Sequence, residues 1–168
     1  MGRDGAQQRM ETVYIETTIV SYLVARPSRD LVAAAHQQLT REWWDSRRAK
    51  FTCFVSEVVL DEVREGDPEQ AALRLEAVRG FPRLAATPEA ERLAAAFLKG
   101  PLPAKSAGDA AHLAIAAAGK VKYLLTWNCA HLANGQVLEL LDPIAAAAGF
   151  KLPRVCTPEE LMGVSPYE

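Results

Sequence analysis

The sequence predicts an α/β fold: one domain on a parallel sheet of four to five short strands, with helices on both faces. Three observations carry this expectation. Short apolar runs alternate with longer, capped helical segments along the whole chain. The 168 residues are 49% hydrophobic and 24% charged, a globular composition with chain enough for one core but not for two. No repeat or low-complexity linker interrupts the alternation, and no apolar run is long enough to span a bilayer.

Val13-Tyr14-Ile15 forms the first strand and stops at Glu16-Thr17-Thr18. Residues 1–11 are polar and aperiodic, so a frayed end is expected ahead of a domain spanning 12–168. Ile19, Tyr22 and Leu23 have helical spacing, ended by Pro27. Ser28 fits the N-cap of a helix reaching about Arg48, with Leu31, Ala34, Ala35, Leu39 and Trp43 on one face. Phe51 to Val55 is an aromatic and β-branched run, hence a buried strand. Ser56 caps the next helix, which carries Val59, Leu60 and Val63 and stops near Gly66.

A capping residue, a proline and a glutamate recur at Asp67-Pro68-Glu69, Thr87-Pro88-Glu89 and Thr157-Pro158-Glu159. The first side chain accepts from an unpaired helical N–H, the proline lacks an N–H that has no partner there, and the acid complements the helix dipole. Helices are therefore expected from about 68, 88 and 158, with short strands at Leu84-Ala85-Ala86 and Arg154-Val155-Cys156 before the last two. Ser106 fits the start of a helix to Ala118, closed by Gly119. Tyr123 to Thr126 is a further strand, and residues 136–148 form the last long helix, ended by Gly149.

Nineteen basic against 21 acidic residues give a net charge of −2, which excludes nucleic-acid binding by bulk charge but not by a local basic strip. The one basic, aromatic stretch is Arg41, Trp43, Trp44, Arg47, Arg48 and Lys50, readable as core and interface or as an RNA clamp. Cys53, Cys129 and Cys156 make an odd, unpatterned set, a poor disulfide framework. With no charged-then-apolar leader at the start, a cytoplasmic protein is expected.

In a parallel α/β sheet, ligands bind beyond the carboxyl ends of the strands. Those ends carry Glu16, Ser56 and Asn128, and the helices that follow carry Glu62 and Asp109. Clustered carboxylates repel unless a cation or protons neutralise them. All-oxygen donors suit Mg²⁺ or Mn²⁺, and a hard cation with open water positions suits phosphodiester hydrolysis. Glu57, Asp61 and Glu65 surround Glu62 and compete with it as a plain solvated face. Asp109 also fits a helix-dipole role, Asn128 a turn, and Glu16 a helix cap. Thr17, Thr18 and Ser56 suit either phosphate and water positioning or helix capping. His112 and His131 lie three residues after Asp109 and Asn128; a zinc site with Cys129 would use them, but its spacing matches no known pattern.

The segments VYIETTIVSYL (13–23), CFVSEVVLDEV (53–63), SAGDAAHLAIAA (106–117) and YLLTWNCAHLAN (123–134) resemble, in order and spacing, the four motifs of PIN-domain ribonucleases. More narrowly, they look like the toxin half of VapBC-type toxin–antitoxin pairs. The resemblance covers about residues 12–162. It implies a Mg²⁺- or Mn²⁺-dependent endoribonuclease leaving 5′-phosphate and 3′-hydroxyl ends. Glu16, Glu62 and Asp109 would be metal ligands, Asn128 a fourth catalytic residue, and Thr17 and Ser56 would position phosphate or water. It also implies an antitoxin over the N-terminal helices and a homodimer.

Two positions depart from the family pattern. Glu16 stands where Asp is usual, which moves the carboxylate by about 1.5 Å, and Asn128 replaces an acid, which keeps an acceptor oxygen but removes a charge. The alternative is therefore a degenerate PIN module that binds RNA or a protein without cutting. A phospho-aspartate phosphohydrolase fits poorly, because Glu16 and Thr18 stand where it needs two aspartates.

Overall fold

The computed structural model describes residues 10–164. Five strands form one all-parallel sheet in the order β3-β2-β1-β4-β5. The strands are β1 (Glu11–Ile15), β2 (Phe51–Ser56), β3 (Arg83–Leu84), β4 (Tyr123–Leu125) and β5 (Arg154–Cys156). Between them run α1 (Thr17–Val24) and α2 (Leu31–Ser46), then α3 (Glu57–Val63) and α4 (Pro68–Ala77), then α5 (Pro88–Lys99) and α6 (Ala107–Ala118), and last α7 (Gly135–Ala147). The predicted α/β class and parallel sheet are what the chain adopts.

β1 is the central strand. It pairs with β2 through Val13 opposite Cys53 and with β4 through Ile15 opposite Leu125. Val13, Tyr14 and Ile15 are wholly buried, as expected of a parallel strand covered on both faces. From β1 the chain steps outward through β2 to β3, then restarts at β4 and steps the other way to β5. α1 packs on α2, α3 and α4, and α5 packs on α6 and α7, the grouping that right-handed crossovers on either side of β1 require. The direction of winding reverses between β1 and β4, and that crevice is where such sheets bind ligands.

Several boundaries differ from expectation. β1 begins at Glu11, inside the stretch expected to fray; residues 1–9 lie outside the described residues. The N-cap of α2 is Asp30, whose carboxylate accepts from the Ala33 amide at 2.8 Å, while the Ser28 hydroxyl accepts from Asp30 N. Ser106 precedes α6 without capping it, because its hydroxyl faces His131 at 3.2 Å. Asp67 and Thr87 cap α4 and α5 as expected. Thr157-Pro158-Glu159 begins only a turn, closed by Leu161 N bonding to Thr157 O.

The basic stretch is mostly occupied within the fold, which goes against the RNA-clamp reading. Trp43 is buried and donates from Nε1 to the Leu161 carbonyl, and Arg41 donates to the carbonyls of Leu23 and Ala25. Arg48 lies over the Trp44 and Phe81 rings. Cys53 and Cys156 are buried strand residues, and burial pushes both thiols up to about 11. Among the described residues no helix is long and apolar enough to cross a membrane.

Candidate metal centre

β1 runs into α1 with a single residue between them, and that residue is Glu16. Its amide continues the β1–β4 ladder by donating to the Leu125 carbonyl at 3.1 Å. Its side chain then caps α1. Oε2 accepts from the Thr18 amide at 3.1 Å, the Thr18 hydroxyl at 2.5 Å and the Thr126 hydroxyl at 2.7 Å. Oε1 makes no hydrogen bond among the described residues and lies 3.9 Å from His112 Nε2. Glu16 is only 4% exposed, and the unbonded Oε1 is not among the fully buried unpaired polar atoms, so it is the part of the carboxylate open to an incoming ion.

Glu62 reaches the same place from the end of α3. The Thr17 hydroxyl donates to its Oε2, and His112 Nε2 lies 3.0 Å from that oxygen. Glu57, Asp61 and Glu65 stay outside, and Glu57 and Asp61 pair with Arg83 and Arg64 on the surface. α3 and α6 approach closely here: a Cβ on Gly108 would stand 2.9 Å from Glu62 Oε1.

His112 is buried in α6 and held from behind. Its Nδ1 is 2.8 Å from the Tyr14 hydroxyl, which is 2.7 Å from Ser56 Oγ, itself the cap acceptor for the Val59 amide. Burial alone would lower the His112 pKa. The Glu62 hydrogen bond and the charges of Glu16, Glu62 and Asp109 outweigh it and raise the value above that of free imidazole. Burial likewise works to raise the Glu62 pKa, but His112 and Thr17 together hold it below the usual carboxylate range. Burial pushes the Tyr14 phenol far up, so it stays protonated. Beside the Glu62 carboxylate, which only accepts, Nε2 carries a proton; a cation would have to displace that proton, with the Tyr14 phenol then accepting from Nδ1–H.

Glu16, Glu62 and His112 each offer one ligand atom, all within 4.8 Å of one another. The expected triad of acids is therefore altered. Asp109 stands beside it, but its Oδ1 accepts from Asn128 Nδ2 at 2.8 Å and its Oδ2 lies 2.9 Å from His131 Nδ1. Asn128 Oδ1 in turn accepts from the His131 amide. Asn128 thus orients Asp109. Thr17 holds Glu62, and Ser56 is fully buried in helix capping, with no face left for a phosphate.

The histidines do not form the zinc arrangement with Cys129, which is exposed and outside the ligand group. Nor do Ser106, His131 and Asp109 make a nucleophilic triad, because serine and aspartate both face the same nitrogen, Nδ1. Tyr14 and Thr126 are site residues that sequence reasoning did not place, and it weighed His112 only in the zinc arrangement with Cys129. The only available signal was the three-residue step from Asp109 to His112, which puts both on one helix face. No family model matches the chain, and no curated protein matches it.

Proposed function

We propose that the chain is a divalent-cation-dependent endoribonuclease of PIN type and, by its resemblance to VapC toxins, one restrained by an antitoxin. The observation that supports this most directly is the unbonded Oε1 of buried Glu16, beside Glu62 and His112 at the reversal point of the sheet. Two carboxylates and an imidazole at that separation fit a divalent ion. The nitrogen donor suits Mn²⁺ better than Mg²⁺. A bound cation would lower the pKa of water and neutralise charge on the phosphodiester under attack.

The residues divide the remaining work. Glu16 and Glu62 hold the cation, with Thr18, Thr126 and Thr17 fixing their carboxylates. Asp109, aimed by Asn128 and His131, takes the proton of the attacking water. The water oxygen bonds to phosphorus, the bond from phosphorus to the 3′ oxygen breaks, and that oxygen takes a proton from a solvent water as it leaves, while Asp109 returns the proton it accepted to solvent. Leu31 and Val32, 87% and 64% exposed at the start of α2, are apolar surface of the kind an antitoxin would cover.

A second reading, a module that binds without cutting, is favoured by the engagement of both Asp109 oxygens with Asn128 and His131. Purified chain, free of any partner, is to be incubated with total RNA and Mn²⁺ beside Asp109→Asn. Cleavage by the parent alone supports the nuclease. No cleavage together with no Mn²⁺ binding leaves the binding module.

A further inference from the structure

The acidic centre occupies the carboxyl end of the sheet; at the opposite end, beside the starts of β4 and β5, lies a cavity of about 670 Å³ with the other charge. Four of its ten lining residues, Lys120, Lys122, Lys151 and Arg154, are cationic and none is acidic, in a chain of net charge −2. Two left-handed turns build it. Lys120, at φ +53°, turns the chain from α6 toward β4, and Gly149, at φ +82°, turns it from α7 toward β5. The Arg154 amide donates to the Lys122 carbonyl at 2.9 Å, which ties the two walls together.

Helix dipoles favour cations after α6 and α7, which accounts for Lys120 and Lys151. They do not account for Lys122 and Arg154, which belong to the strand starts. Lys122 pairs with Glu11 and lies 5.3 Å from the Tyr123 ring centroid. The other three cations have no ion-pair partner among the described residues. Phe150 and Tyr123 line the same cavity and are partly exposed. Converging cations beside aromatic faces are the composition that tracks a nucleic-acid backbone and stacks unpaired bases.

We propose that this cleft binds the phosphodiester backbone of single-stranded RNA, a second contact remote from the acidic centre. The choice of RNA rests on the ribonuclease reading. A neighbouring groove of about 780 Å³ shares Lys151 and Arg154 but adds Glu11, Asp142 and Glu160. Those acids direct a polyanion toward the side of Lys120.

The test measures binding of a labelled single-stranded RNA in EDTA, so that contact is read without cleavage. In Lys120→Gln/Lys151→Gln the affinity near 0.1 M salt falls roughly 20-fold, and the slope of log affinity against log salt shrinks by about 1.4. An unchanged affinity and slope overturns the proposal. Displacement of the RNA by poly-glutamate of equal charge as readily as by unlabelled RNA overturns the assignment to RNA. A chain that fails to cut but loses RNA affinity in the double variant refutes the nuclease and keeps the cleft. One that cuts, with binding indifferent to both lysines, does the reverse.

Discussion

Glu16 serves the fold with one carboxylate oxygen and leaves the other unbonded beside His112. Oε2 caps α1, which fills the capping role, while Oε1 stays unbonded and is the atom a cation would meet. Glu62, with a side chain 34% exposed, is the safer probe of the cation. Glu62→Gln is expected to weaken Mn²⁺ binding by roughly 10-fold or more, measured by paramagnetic resonance, and to abolish RNA cleavage. The His112–Glu62 pair also makes the metal-free protein pH-sensitive, with two signs to combine. The raised His112 pKa contributes stability below about pH 6.5 that is lost as pH rises through the folded value. The depressed Glu62 pKa contributes stability above its ordinary value that is lost as pH falls through the folded one. Melting temperature in EDTA should therefore peak in the mildly acidic range and flatten in Glu62→Gln. The sequence named Glu16, Glu62, Asp109 and Asn128 by position, but a three-residue step could not say that His112 faces the carboxylates while Asp109 turns to His131.

Capping shows how far local chemistry specifies a helix. Ser28 and Asp30 both qualify as N-caps by residue type, and geometry decides for Asp30 because its carboxylate reaches the third helical amide. Asp30→Ala should cost about 1 kcal/mol in urea unfolding, and Ser28→Ala clearly less. Thr157-Pro158-Glu159 spells a helix start with the same grammar as Asp67 and Thr87. Its cap does form, with Glu160 accepting from the Thr157 amide at 2.8 Å. The helix does not follow, because the Leu161 carbonyl is used by Trp43 and Gly163 leaves the helical region at φ +90°. A start signal needs chain after it to propagate. The apolar strands were legible for the opposite reason: β1, β2 and β4 are buried and spell that burial in consecutive hydrophobic residues.

The strand order was not written in any segment. Alternation gave a parallel sheet, but nothing local says that β4 lies beside β1, which alone brings Asn128 and Asp109 toward Glu16. That order also grades the sheet from centre to rim. Amides of Val13, Tyr14 and Ile15 should exchange with deuterium only on global unfolding, whereas Arg83 and Leu84, in a two-residue edge strand, should exchange far sooner. Hydrogen-exchange mass spectrometry checks the contrast, and equal protection of both segments would contradict it.

The narrow approach of Gly108 to Glu62 gives the site a dial that carries no charge. A methyl at that position meets a carboxylate oxygen rather than a hydrophobic wall, so Gly108→Ala would press Glu62 away from its neighbours while every ionisable group remains. If the chain is harmful to the cell that makes it, such a variant offers a weakened form, neither wild type nor dead, that could be produced and purified in quantity.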